Sequence, residues 1–147
     1  MPTITTNKFA FHEYEILETV ECGIVLSGQE VKSVRGGHVN LKGAYAAMTG
    51  GELWLLNAHI SPYRHAGSLP GYDPTHTRKL LVSRRELDRL VGKLQTAGLT
   101  LVPLKVYTVK SRLKIELGLG RGKQKFEKRE LLKNRSIEKE IRQRLKR

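Results

Sequence analysis

The spacing of apolar and polar positions changes several times along the 147-residue chain. Cys22–Leu26 is a compact apolar run with β-branched residues, the pattern of a buried strand. Over Gln29–Arg35, Val31 and Val34 stand three apart among Glu30, Lys32, Ser33 and Arg35, which predicts about two helical turns with one apolar side. Ser27 or Gly28 can begin this helix, and Gly36-Gly37 can end it with a residue at positive φ. Val39, Leu41 and Tyr45 then return to extended structure. A strand that runs into a plugging helix and comes back as a strand is a common way to build a small closed barrel.

Around this unit the remaining elements follow in order. Met1–Lys8 has little apolar content and is predicted to be a mobile arm. Phe9–Glu18 is predicted to be an antiparallel strand with one wet face, continuous with Cys22–Leu26 through a bulge near Val20–Cys22. Ala44–Met48 and Glu52–Ile60 flank Thr49-Gly50-Gly51, a strong hairpin signal. Ser61–Thr77 is a long loop holding three of the five prolines. Arg78–Val82 is a short strand. Ser83 and Glu86 form a capping box, and Leu87, Leu90, Val91 and Leu94 give a helical stripe ending near Gly98. Leu99–Val109 and Leu113–Leu119 form a second hairpin, with Val102, Leu104 and Val106 on one side facing Ile115, Leu117 and Leu119. Gly118–Glu130 marks a change from barrel to tail. In it Gly118, Gly120 and Gly122 allow close backbone approach, and Arg121, Lys123 and Lys125 line one face of an extended chain. Leu131–Arg147 carries a thin Ile137, Ile141, Leu145 stripe with i,i+4 ion pairs, which predicts disorder when free and helix on binding.

Composition adds a partner class. The formal charge is +13, of which residues 118–147 hold a net +8, so the partner is a polyanion, nucleic acid or an anionic membrane. There is no long apolar run, which predicts a soluble, cytoplasmic chain. Cys22 is the single cysteine and reads as a core residue rather than a nucleophile. The histidines show no metal-ligand spacing, and there is no nucleophile elbow, Cys–His pair or dinucleotide fingerprint. The glycine-rich basic stretch is not a Walker motif, since Gln124 stands where Ser or Thr is needed. Lys32 and Arg35 project outward. Taken singly, they are ordinary solvated charges. A small barrel, a basic face and a basic tail describe an RNA-binding protein of OB-like architecture with no catalytic set, no cofactor and no metal. The residues alone leave RNA chaperone, ribosomal protein and tRNA-shape reader open.

Several segments, in order, resemble the SsrA-binding proteins, also called small protein B: His12–Tyr45, Asn57–Tyr63, Tyr72–Leu87, Gly98–Tyr107 and Leu117–Glu130. GxEVKSxRxGxxN at Gly28–Asn40 and DPxxxRKLL at Asp73–Leu81 are highly specific in combination. The resemblance implies a mainly β fold. It is a closed antiparallel OB-like barrel of about six strands over residues 9–122, with two to three flanking helices. Residues 1–8 would be an N-terminal arm, and 123–147 a flexible basic tail that is helical on the ribosome. It implies a non-enzymatic factor, expected to be monomeric. Such a factor binds the tRNA-like domain of transfer-messenger RNA and delivers it to stalled bacterial ribosomes for trans-translation. Elongation factor Tu and alanyl-tRNA synthetase would be met through the RNA, and the small-subunit decoding centre and mRNA channel directly.

By position, the resemblance assigns RNA contact to His12, Tyr14, Glu21 and Cys22 on the first strand, to Lys32 and Arg35 on the first helix, and to Leu81, Lys114, Arg121, Gly122 and Lys123. It assigns the decoding centre to Phe126, Glu127, Lys128 and Arg129. The family's arm is usually basic where Phe9 and Phe11 stand, and Phe126, Glu127 and Gln124 replace commoner residues. The rival readings are a ribosomal or initiation-factor-like OB protein and, on the scattered histidines alone, an RNA-processing enzyme.

Overall fold

The computed structural model describes residues 3–63, 71–95 and 98–122. Nine strands and three helices occur among them. In chain order they are β1 (Thr3–Thr6), α1 (Lys8–Glu13), β2 (Tyr14–Ile24), α2 (Gly28–Arg35), β3 (Val39–Asn40), β4 (Tyr45–Thr49), β5 (Glu52–Leu56), β6 (His59–Ile60), β7 (Arg78–Leu81), α3 (Arg84–Leu94), β8 (Leu99–Val109) and β9 (Arg112–Gly122). Strands β8, β4, β5, β7, β2 and β9 pair in that order, and β9 pairs again with β8, so six antiparallel strands close a ring. β1 lies outside it on β8, and β3 and β6 make a separate two-stranded sheet. Leu53, Leu55, Leu101, Val106, Ile115, Leu117 and Leu119 fill the interior, each at most 4% exposed.

The first residues depart from the expected arm. Thr3–Thr6 pairs with Lys105–Tyr107. Asn7 is buried, and its Nδ2 donates to the carbonyls of Leu41 (3.2 Å) and Pro103 (2.9 Å) while Oδ1 caps α1 at Ala10 N. One side chain thus anchors the segment to β8 and to the β3–β4 connection and begins a helix where a strand was expected over Phe9–Glu13. Phe9 and Phe11 stay exposed on α1, with Lys42 Nζ 5.4 Å from the Phe9 ring centroid. β2 is the long strand the sequence suggests, but its register shift lies between Ile16 and Glu18 rather than near Val20–Cys22.

The capping box expected at Ser83 is half formed: Ser83 Oγ accepts from Glu86 N, while the Glu86 carboxylate takes the Arg89 guanidinium at 2.7 Å. The complete box is at Ser27–Glu30. The α3 stripe packs through Leu87, Leu90 and Leu94, whereas Val91 is exposed. Arg89 and Lys93 of α3 both bind the Glu18 carboxylate of β2.

A second shift, between Pro103 and Lys105 on β8, separates residues that strict alternation would group. Leu101 and Val106 join the main core, and Val102 and Leu104 join Ala10 in a smaller cluster under Tyr14 and Ile16. The proline lacks an N–H for the ladder, so an irregularity beside it is the natural accommodation. Gly118 and Gly120 serve this cluster. A Cβ on Gly118 would sit 2.9 Å from Leu104 Cδ1, and one on Gly120 2.9 Å from Tyr14 Cβ. Their close approach is therefore to the protein's own side chains.

Glu30, one of the polar positions of the predicted helix, is 5% exposed and Arg78 1%. Arg78 Nε donates to Glu30 Oε2 at 2.8 Å, Nη1 to Ala58 O at 2.7 Å and Nη2 to Pro74 O at 2.9 Å. Tyr72 Oη (3.3 Å) and His76 Nε2 (2.9 Å) approach the same Glu30 oxygen, while Oε1 accepts from Ser27 N at 3.1 Å. Burial alone would raise the Glu30 carboxyl. The Ser27 N–H, Arg78 and His76 outweigh it and hold the group below the ordinary value of 4.5.

Arg78→Leu leaves the Glu30 charge buried without its main partner and should cost about 3–5 kcal/mol in urea denaturation. Because Glu30 is depressed in the folded state, its contribution is complete above the ordinary carboxylate range and fades as pH falls through its lower folded value. The gap between wild type and variant should therefore narrow on acidification. Gly120→Ala should cost roughly 1–3 kcal/mol in a thermal melt, since the atom it meets is a Cβ and cannot swing away. Gly28→Ala, with nothing within 4 Å of the added carbon, should be neutral or slightly stabilising.

Candidate nucleic-acid interface

The residues assigned from sequence fall into two groups on the β2–β9 ladder. At one end, Gly23 pairs with Leu81 of β7 on one side and Lys114 of β9 on the other. With no side chain at Gly23, this rung is a depression. It opens into a groove of about 330 Å³ lined also by Arg35, Ser111 and Arg112. Leu81 is 51% exposed there, an unusual state for a large aliphatic side chain in a strand. Arg35 Nη2 donates to Ser111 O at 2.5 Å, tying α2 to the β8–β9 turn. That turn is two residues long, with Lys110 and Ser111 both at positive φ (47° and 66°), the geometry of a tight hairpin in residues other than glycine. The groove therefore has an apolar floor and a rim of three cations from α2 and β9. An apolar floor is able to take a flat ring, and a cationic rim is able to neutralise phosphate. Lys32 lies on α2, with its Nζ 5.5 Å from the Tyr63 ring centroid.

Glu21 is exposed on β2, two residues from Gly23, and its Oε2 accepts the Tyr107 hydroxyl at 2.5 Å. Tyr107 is only 4% exposed, and burial followed by the Glu21 carboxylate raises its hydroxyl well above the ordinary phenol range, so it stays protonated and donating. Cys22 points inward at 1% exposure, and burial pushes its thiol up to about 12. Its side chain belongs to the core and not to the RNA-facing patch that the resemblance implies for it.

The second group sits at the far end of the same ladder. Tyr14 pairs with Gly122 and Glu15 with Arg121. Tyr14 is half-buried, with its ring against Gly120 and over Ala10, Val102 and Leu104. His12 is on α1 just before it. Tyr14 and Gly23 are nine residues apart on one strand, or about 30 Å at ~3.3 Å per residue. The structure thus brings Leu81, Lys114 and Arg35 together, and separately His12, Tyr14, Arg121 and Gly122, but not the two groups. Lys123 and Phe126, Glu127, Lys128 and Arg129 lie outside the described residues.

Sequence reasoning missed Arg112, Tyr107 and the Glu30–Arg78 pair. The spacing Ser27-x-x-Glu30 is a legible cap, but nothing local tells that Glu30 meets a residue 48 positions away. Among the described residues there is no cluster of three or more His, Cys, Asp or Glu able to hold a metal, and no helix is long and apolar enough to cross a membrane.

A family model described as SmpB protein matches residues 4–147. The SsrA-binding protein of Gloeothece citriformis is 50% identical over 144 residues, covering 98% of this chain and 93% of that protein. The SsrA-binding protein of Chloroflexus aggregans is 49% identical over 144 residues, covering 98% and 91%. A solved chain described as "tmRNA-SmpB: a journey to the center of the bacterial ribosome" superposes with a TM-score of 0.68 at 50% identity, covering 84% of this chain and 85% of that one. The chain belongs to the SmpB family of SsrA-binding proteins.

Proposed function

We propose that this chain binds the tRNA-like domain of transfer-messenger RNA and delivers it to stalled bacterial ribosomes for trans-translation, as an RNA-binding factor without enzymatic activity. Family membership over nearly the whole length supports the reading. The observation on this chain that carries it is the groove at Gly23, where Leu81, Arg35 and Lys114 converge from three separate segments. The net charge of +13 supplies the attraction to phosphate.

The six-strand ring is read as a closed barrel of the OB type within residues 9–122, with residues 123–147 as a basic tail. The two groups on the β2–β9 ladder take two surfaces of RNA. Glu21, Lys32, Arg35, Leu81 and Lys114 meet the tRNA-like domain. His12, Tyr14, Arg121 and Gly122, with Lys123, bind the RNA at the far end of the ladder, and Phe126, Glu127, Lys128 and Arg129 act in the decoding centre. Elongation factor Tu and alanyl-tRNA synthetase are met through the RNA, in the bacterial cytoplasm.

A titration at near-physiological salt should show strong preference for the tRNA-like domain over an elongator tRNA and a random stem-loop. Equal affinity for all three would overturn the reading. Alanine at Lys32, Lys114 and Lys123 together should lower the slope of log K against log salt by about 0.7–0.9 for each phosphate that is no longer neutralised. An unchanged slope would move the site elsewhere.

A further inference from the structure

Tyr107 is a buried, titratable group that the RNA reading leaves without a task. Cross-strand register places Glu21, Glu116 and Lys105 on one rung of β2, β9 and β8, and Gly23, Lys114 and Tyr107 on the rung two residues away. The core residues Cys22, Ile115 and Val106 occupy the rung between, so both flanking rungs point outward. Tyr107 is nonetheless only 4% exposed. Its strand and that of Glu21 are separated by β9, or about 10 Å at ~4.8 Å per strand spacing. A 2.5 Å hydrogen bond between them therefore requires the ring to lie across β9. Lys105 Nζ stands 5.6 Å from the ring centroid and 3.8 Å from Glu116 Oε2, which further fixes the ring.

An exposed glutamate samples many rotamers, and an RNA that uses it must first freeze them. Here one oxygen is already held by a buried donor. We propose that Tyr107 is a positioning residue for RNA recognition: it anchors Glu21 Oε2 and leaves Oε1 as a fixed acceptor for the amino edge of an unpaired base beside the groove. A carboxylate at this place repels phosphate, so it reads a base edge and adds selectivity to the cationic rim. This inference rests on the proposed binding of the tRNA-like domain.

The test is a double-mutant cycle in the full chain, read as affinity for the tRNA-like domain. Tyr107→Phe should bind roughly tenfold more weakly, the scale of a lost charge-assisted hydrogen bond. Its salt slope should be unchanged, because no cation that meets phosphate is removed. Glu21→Ala should lose at least as much, and the double variant no more than Glu21→Ala alone. Glu21→Asp keeps the charge and sits on the surface, but its shorter side chain falls short of the hydroxyl. It should match Tyr107→Phe. Additive losses in the double variant, or wild-type affinity in either Tyr107→Phe or Glu21→Asp, would overturn the proposal. A wild-type chain without preference for the tRNA-like domain would instead overturn the underlying RNA reading, and this proposal with it.

Discussion

The Arg78–Glu30 pair fixes the relation of α2 to the sheet. Neither residue is next to the groove, yet Arg35 lies five residues beyond Glu30 on the helix and Leu81 three beyond Arg78 on the strand. Where the pair sits, the floor and one rim of the groove follow. A buried ion pair is not a general source of stability, because removing two charges from water offsets much of their attraction. What distinguishes this one is saturation. The guanidinium also donates to two backbone carbonyls and both carboxylate oxygens are used, so the cluster accepts one geometry. Among the described residues no buried side-chain nitrogen or oxygen lacks a partner.

The same pair explains why two short motifs, distant in sequence, are informative together. Gly28–Asn40 contributes Glu30, Ser33 and the helix that carries them. Asp73–Leu81 contributes Arg78, and its Asp73 accepts from Thr75 N and Oγ1 to shape the turn before it. Each motif supplies one half of a pair, and neither half is tolerable in a core alone.

Much of the fold was legible where the signal was local. The Gly50-Gly51 hairpin, the Ser27-capped helix, the α3 stripe and the long final hairpin all follow from spacing and turn chemistry. What escaped was set by tertiary context. Asn7 has no apolar neighbours to announce it, yet it caps α1 and bonds to residues 34 and 96 positions away. The shift beside Pro103 turned Val102 and Leu104 away from Val106, which strict alternation cannot foresee. Gly118 and Gly120 were correctly read as sites of close approach, but the approaching groups are Leu104 and Tyr14 rather than a ligand. For the interface, residue types and the resemblance supplied candidates on β2, α2, β7 and β9. Only the ladder register showed that they form two groups, and that Cys22, between exposed Glu21 and the groove, faces inward.

That ladder couples the two groups through length. From Tyr14 to Gly23, β2 pairs with β9 almost without interruption, and side chains alternate between core and surface. Exchanging an outward residue such as Thr19 alters one position. Away from the bulge between Ile16 and Glu18, adding or removing a residue would invert the facing of everything on one side of the change, sending Glu21 inward and Cys22 out. The segment is thus free to drift in composition at its exposed positions but closed to insertions and deletions. The interval between its two ends behaves as an inherited dimension of the molecule.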